Sequence, residues 1–307
     1  MLRSTMLAVS RNTMVKRAMV GFAPTKKVVD RFVAGETLDD CIRVVRQLKD
    51  AGLLATVDHL GEDTTTAEQA SATTDAYLTL LTRLHNEGLT DACEVSVKLT
   101  ALGLALRDGH AVAAANARRI CTAAHAVGTT VTIDMEDHTA TDATLAIVDE
   151  LRETYPETGT VLQAYLHRTP ADCARYAVAG MRIRLCKGAY DEPASVARRS
   201  KADVDAAYLA CLRTLIKGEG YPMVASHDPR MIEAALAYAD VADRAPGSFE
   251  LQMLYGIRVD EQARLAALGH RMRVYVPYGV DWYGYFTRRL AERPANLLFF
   301  ARALVGR

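Results

Sequence analysis

Polar residues recur where short β-rich runs end. Lys98 follows Val95-Ser96-Val97, and Asp134 and Glu136 follow Val131-Thr132-Ile133. Gln163 stands with Tyr165 and Arg168, Arg184 with Lys187, and Ser226-His227-Asp228 closes a further run, while Gln252 and Tyr275 lie in the last two. One lysine or glutamine at a strand end is ordinarily a solvated rim residue; the recurrence at successive ends on one face points to a binding site. Cations dominate the set: Lys98, Arg184, Lys187 and the adjacent pair Arg288-Arg289. Such a face should hold an anion, either the phosphates of a cofactor or the carboxylate of a small substrate, which planar guanidinium forks suit well. The run Arg184-Leu185-Cys186-Lys187-Gly188-Ala189-Tyr190 ends a strand with a cation and a glycine, so backbone amides can come close to that anion. No P-loop lysine motif occurs, which argues against nucleotide hydrolysis. Asp134, Glu136, Asp137 and His138 could ligate a divalent ion, but the cationic neighbours disfavour another positive charge, and no metal is expected.

These residues need a scaffold that gathers strand ends. From about residue 51 the chain alternates β-rich runs (53–58, 94–99, 130–134, 160–165, 181–186, 223–226, 249–253 and 273–276) with amphipathic helical stretches (111–126, 143–154, 171–179, 196–216, 231–238 and 261–267). Gly88, Gly128, Gly180 and Gly269 each close a helical pattern shortly before a strand. Eight such units predict an α/β fold, a (β/α)8 TIM-like barrel, in which strand C-termini and the loops after them build the site. A doubly wound sheet is the competitor, but the first strand leads into Asp58-His59-Leu60-Gly61-Glu62 rather than a G-x-G-x-x-G turn. Residues 1–50 read as an N-terminal helical preface, with amphipathic pieces at 28–33 and 38–48, and 51–307 as the barrel, within a single domain overall. A last helix from about 282 to 290 would cap the barrel mouth.

The totals exclude several classes. Among 307 residues, 37 Lys plus Arg balance 37 Asp plus Glu, so no net field draws the chain to nucleic acid. The six cysteines show no C-x-x-C pair and read as small buried hydrophobes in a reducing cytosol. No run reaches the roughly 18 apolar residues of a membrane span, so a cytoplasmic protein is expected. Arg3, Arg11, Lys16, Arg17, Lys26 and Lys27 all precede the first acidic residue, Asp30, a basic leader compatible with peripheral contact at the inner membrane surface.

Read in order, the segments resemble the proline dehydrogenase family of flavoenzymes. The runs are Val95-Ser96-Val97-Lys98-Leu99-Thr100-Ala101-Leu102-Gly103, Ile133-Asp134-Met135-Glu136, Leu162-Gln163-Ala164-Tyr165-Leu166, Arg184 through Tyr190, Ala225-Ser226-His227-Asp228, Phe249-Glu250-Leu251-Gln252-Met253-Leu254-Tyr255-Gly256, Tyr275-Val276-Pro277-Tyr278-Gly279 and Tyr285-Phe286-Thr287-Arg288-Arg289-Leu290-Ala291-Glu292-Arg293. They span roughly residues 50–303. The resemblance implies FAD across the barrel top, accepting hydride from L-proline to give 1-pyrroline-5-carboxylate. It implies the short, monofunctional form, with a separate aldehyde dehydrogenase downstream and a membrane quinone as electron acceptor. By matching positions, Arg184 would sit near flavin N5, and Gln163 and Lys187 near the pyrimidine edge or ribityl chain. Backbone around Met135 and Gly188-Ala189, with Ser226 and His227, would complete the cofactor site. Lys98, Arg288 and Arg289 would hold the substrate carboxylate, with Asp134 orienting Lys98 or an arginine and perturbing the amine proton. Tyr275 and Tyr190 would wall the ring, Tyr190 excluding a hydroxylated proline, and Glu62 would form a gate with Arg288. Thr100 departs from the family's serine, and Asp191-Glu192 stand where other members carry an aromatic residue. A hydroxyproline or related cyclic amino-acid dehydrogenase is the nearest alternative. Further off are a barrel aldolase using Lys98 or Lys187 as a Schiff-base amine, and a barrel that only binds a carboxylate.

Overall fold

A computed structural model describes residues 29–61 and 64–286. Its centre is a closed, all-parallel barrel in the order β1 to β8, with β8 pairing back onto β1. The strands are β1 (Leu54–His59), β2 (Cys93–Val97), β3 (Val131–Ile133), β4 (Gly159–Gln163), β5 (Arg182–Cys186), β6 (Tyr221–Ala225), β7 (Glu250–Leu254) and β8 (Met272–Tyr278). Helix α1 (Leu38–Asp50) precedes β1, and α2 (Ala67–Asn86), α3 (Gly109–Ala126), α4 (Thr141–Arg152), α5 (Thr169–Tyr176), α6 (Lys201–Lys217), α7 (Pro229–Val241) and α8 (Val259–Ala267) follow β1 to β7 in turn. All eight expected strands are present, and the expected (β/α)8 barrel is the fold.

Local chemistry sets the boundaries. Thr37 and Thr66 form capping boxes with Asp40 and Gln69 and so start α1 and α2, and Asp228 caps α7 ahead of Pro229. The helix expected from 196 begins only at Lys201, where the Ser200 hydroxyl accepts the Asp203 amide at 3.1 Å. The preceding residues are held elsewhere: Val196 accepts the His167 amide at 2.8 Å, and Ala197 bridges to Leu166.

The outward positions of the strands are apolar. Val95, Val97, Ile133, Ile183, Leu185, Leu251, Val274 and Val276 share one core with the helices, including Cys41, Ile42, Val44 and Val45 of α1. A second cluster joins Val29, Phe32, Val33 and Leu60 to Trp282, Tyr283, Tyr285 and Phe286. Residues 282–286 are helical, and the rest of the expected capping helix lies outside the described residues. So does the basic leader at 1–28. No helix among the described residues is long and apolar enough to cross a membrane.

The inward positions depart from the usual barrel interior of branched aliphatics. Period-two positions bring in Thr56 and Asp58 from β1, Glu94 and Ser96 from β2, Arg182 and Arg184 from β5, Glu250 and Gln252 from β7, and Arg273 and Tyr275 from β8. All but the half-buried Arg182 and Tyr275 are buried. Towards the strand N-termini, Glu94 accepts hydrogen bonds from Thr56 (2.8 Å), Thr130 (3.0 Å), Thr132 (3.3 Å) and Arg182 (2.6 Å). Arg273 donates to both oxygens of Glu250, at 2.6 and 3.1 Å, and to the Ala55 carbonyl at 2.7 Å. Burial raises the Glu94 carboxyl, but the guanidinium groups of Arg182, Arg273 and Arg184 outweigh it and hold it well below the usual carboxylate range.

Candidate active site

Above that tier the strand C-termini bring four expected residues together on one carboxylate. Asp134 Oδ1 accepts from Arg184 Nη1 at 2.6 Å and from the Ser96 hydroxyl at 2.7 Å, and its Oδ2 accepts from the Tyr275 hydroxyl at 2.7 Å. Lys98 Nζ lies 3.7 Å from the same Oδ2. Lys98 donates to Asp58 Oδ2 at 2.6 Å and to the Tyr275 hydroxyl at 3.4 Å. Asp58 is fully buried, and that burial pushes its carboxyl above the ordinary value, helped by the Asp134 charge and opposed by the Lys98 ammonium. Burial likewise pushes the Tyr275 hydroxyl well up. The Arg184 guanidinium stands 5.3 Å from the Tyr275 ring centroid, a cation-π contact.

The three described cations of the expected basic face each carry a carboxylate partner. Lys98 is paired with Asp58, Arg184 with Asp134, and Lys187 with Asp205 at 2.5 Å and Asp228 at 3.1 Å. The physical reason is desolvation: an unpaired cation in a closed barrel costs more than its partner carboxylate does. Sequence reasoning gave Asp58, Ser96 and Asp205 no role. Their signal was charge or hydroxyl at period two within β-rich runs, as in Glu94-x-Ser96-x-Lys98. Asp205 lies instead on a helix; burial raises its carboxyl, but hydrogen bonds from Lys187, Lys201 and Arg230 lower it to about 2.

The loops are tied to one another in series. Glu136 accepts the Thr100 amide at 3.0 Å and contacts its hydroxyl, so Thr100, which departs from the family's serine, engages that loop through both groups. Glu192, buried in the β5–α6 loop, accepts the His138 amide at 2.9 Å and meets His138 Nδ1, clamping that loop to the one after β3. Asp137 turns to its own neighbour Thr139, at 2.9 Å from the amide. Asp134, Glu136, Asp137 and His138 therefore diverge, and no described group of three or more His, Cys, Asp or Glu converges as a metal site.

Gln163, at the end of β4, donates from Nε2 to the Glu136 carbonyl at 3.1 Å, while its Oε1 is buried without a hydrogen-bond partner. Arg184 Nη2 is in the same position, with only a 3.5 Å ionic contact to Glu94. Gly188 holds φ at +108°, and a Cβ there would lie 2.3 Å from the Tyr165 ring, so backbone and ring are in direct contact. Ala189 and Tyr190 follow on the same loop, half-buried, and Met135 is buried beside Asp134. His227 Nε2 accepts the Leu254 amide at 2.9 Å, which places any proton of a neutral ring on Nδ1. The Ser226 hydroxyl accepts the Asp228 amide at 3.1 Å. Glu62, Arg288 and Arg289 lie outside the described residues.

The family model described as proline dehydrogenase matches residues 41–302. The chain belongs to the proline dehydrogenase family. It is 37% identical over 306 residues to Proline dehydrogenase 1 of Bacillus subtilis subsp. natto, covering 99% of each chain. To the Proline dehydrogenase of Deinococcus radiodurans it is 39% identical over 283 residues, covering 91% of this chain and 90% of that one. The family fold is matched by solved structures. Proline utilization A (PutA) from Bdellovibrio bacteriovorus, inactivated by N-propargylglycine, aligns with a TM-score of 0.79 at 26% identity over 87% of this chain and 32% of that one. This family member thus spans about a third of the length of that PutA chain, whereas it matches the Bacillus relative end to end.

Proposed function

We propose that this chain oxidises L-proline to 1-pyrroline-5-carboxylate with FAD as cofactor, the first step of proline catabolism. The observation that carries the reading is the pair of buried polar atoms without a hydrogen bond, Gln163 Oε1 at the end of β4 and Arg184 Nη2 on β5, in a proline dehydrogenase family barrel. Buried groups left unpaired are costly, and a ligand that supplies their partners removes the cost. One atom accepts and the other donates, which suits the mixed edge of a flavin ring. Gly188 lets the loop backbone after β5 pack directly on the Tyr165 ring, which fixes the loop that would carry the cofactor's backbone contacts.

When bound, FAD supplies the acceptor for the hydride that leaves the ring carbon beside the proline nitrogen. Gln163, Arg184 and Lys187, with Met135, Gly188, Ala189, Ser226 and His227, would hold it. Arg184 sets a fixed positive charge where negative charge develops. Lys98, joined by Arg288 and Arg289, would take the substrate carboxylate. Asp134 orients rather than abstracts: its oxygens already accept from Arg184, Ser96 and Tyr275. The amine proton therefore leaves to water. Tyr275 and Tyr190 would wall the ring, and Glu62 would gate it with Arg288. Electrons would pass on to a membrane quinone, with the basic leader supporting peripheral contact at the inner membrane surface. A separate aldehyde dehydrogenase would take the product.

The test is turnover with an artificial electron acceptor, comparing L-proline with trans-4-hydroxy-L-proline. Proline should give 1-pyrroline-5-carboxylate with the higher kcat/KM. A preference for the hydroxylated ring would shift the reading to a hydroxyproline dehydrogenase, and no turnover of either would overturn it.

A further inference from the structure

Arg184 is held from below as well as from above. Its Nε donates to Gln252 Oε1 at 2.7 Å, and Gln252 Nε2 donates to Glu250 Oε1 at 2.6 Å. Glu250 Oε1 also accepts from Arg273 Nε at 2.6 Å, and its Oε2 accepts from the Tyr221 hydroxyl at 3.1 Å. Gln252 and Glu250 are buried, and as i and i+2 on β7 they point to the same side.

The two neighbours fix which way the amide lies. A guanidinium only donates and a carboxylate only accepts, so the Gln252 oxygen must face Arg184 and its nitrogen must face Glu250. Reversing the amide would set donor against donor and acceptor against acceptor in a buried site. Burial raises the Glu250 carboxyl, but the adjacent Arg273 guanidinium outweighs it and keeps the group below its ordinary value, so the acceptor is an anion.

We propose that Gln252 is a positioning residue: its amide, anchored on Glu250, fixes the rotation of the Arg184 guanidinium. With Nε committed to Gln252, Nη1 meets Asp134 and Ser96, and Nη2 makes no hydrogen bond inside the protein, keeping only a 3.5 Å ionic contact to Glu94. The strand-start ion lattice of Glu250 and Arg273 is thereby coupled to the rim. The consequence for catalysis rests on the proposed flavin function: a guanidinium free to rotate would no longer hold Nη2 ready for the cofactor.

The test uses Gln252→Met, which keeps length and removes both hydrogen bonds, and Gln252→Glu, which keeps shape and an acceptor for Arg184. In the flavin-free protein, the Arg184 Nε–H should exchange slowly by nitrogen-detected NMR, and at least roughly tenfold faster in Gln252→Met, the ratio expected for the loss of about 1.4 kcal/mol of protection. In the FAD-loaded protein, Gln252→Met should lower kcat by up to about 10²-fold, the cost of a misplaced group, with a smaller change in KM. The flavin midpoint potential should fall by about 30 mV for a tenfold shift of a two-electron couple. Gln252→Glu places two carboxyls against each other, so one must hold a proton; kcat should gain a limb on the alkaline side that the parent lacks. If Gln252→Met does not fold, that alkaline limb decides. Unchanged Nε exchange, or a lower melting temperature with unaltered kcat and potential, would overturn the proposal and leave Gln252 a packing residue. A parent protein that takes up no flavin would sink the function above, while the exchange measurement still decides the lock.

Discussion

The two halves of the barrel interior hold the same kinds of groups and differ in how completely those groups are satisfied. Near the strand N-termini, Glu94 and Glu250 neutralise Arg182 and Arg273, and threonine and tyrosine hydroxyls fill the remaining valences. Near the C-termini, Asp58 and Asp134 neutralise Lys98 and Arg184, yet one guanidinium nitrogen and one amide oxygen make no hydrogen bond, the nitrogen keeping only a 3.5 Å ionic contact to Glu94. A closed buried network stabilises a unique barrel; an incomplete one marks where a ligand completes it. The interior charge alone would not distinguish scaffold from site. The missing partners do.

Breaking the upper half should have the largest effect on activity. Arg184→Met removes the donor of the unpaired group and leaves Asp134 and Gln252 without their cation, so kcat/KM should fall by about 10²–10³-fold. Steady-state kinetics with titrated flavin content check this, and near-parental turnover would erase the distinction between the halves. Glu94→Gln acts on the lower half. It leaves guanidinium groups facing a neutral amide, and should cost about 3–5 kcal/mol in chemical denaturation while the folded fraction binds FAD with parental affinity. A flavin-binding defect without a stability loss would reverse the assignment of roles.

A smaller effect sharpens the same contrast at the rim. Gly188→Ala adds a Cβ 2.3 Å from the Tyr165 ring at a φ of +108°, and should destabilise by about 1–3 kcal/mol with weakened flavin uptake. Gly269→Ala, at +85° with open space around it, should cost stability alone, about 1–2 kcal/mol. The smallest effect is pH-dependent. Asp205 titrates at about 2 in the folded protein, below its ordinary 3.8. Its ion pairs with Lys187 and Arg230 therefore contribute stability above the ordinary value and lose it as pH falls towards the folded one. Melting curves between about pH 5 and 2 should show Lys187→Ala converging on the parent as acid is added.

Much of this was legible before any coordinates. The alternation of β-rich and amphipathic runs located every strand, because outward residues such as Val95, Val97, Ile183 and Leu185 must face helices. Lys98, Asp134, Arg184 and Tyr275 were legible as strand-end polar groups, and the barrel gathers all four. Their pairing was not. The Lys98 partner Asp58 is 40 residues away and the Tyr275 partner Asp134 is 141 residues away, so only closure of the barrel brings them together. The neutralisation of Lys98 and Arg184 was hidden for the same reason, since charge balance inside a barrel depends on which strands face each other. His138 looked like a possible ligand beside Glu136, but the acid that meets it, Glu192, comes from another loop.

The claim on which the account depends is that the incomplete upper half is completed by a flavin that takes electrons from proline. Anaerobic titration of the FAD-loaded protein with L-proline, followed by visible absorbance, tests it most directly. The oxidised-flavin band should bleach in proportion to added proline in the parent and fail to do so in Arg184→Met. A parent protein whose flavin stays oxidised under saturating L-proline would contradict it.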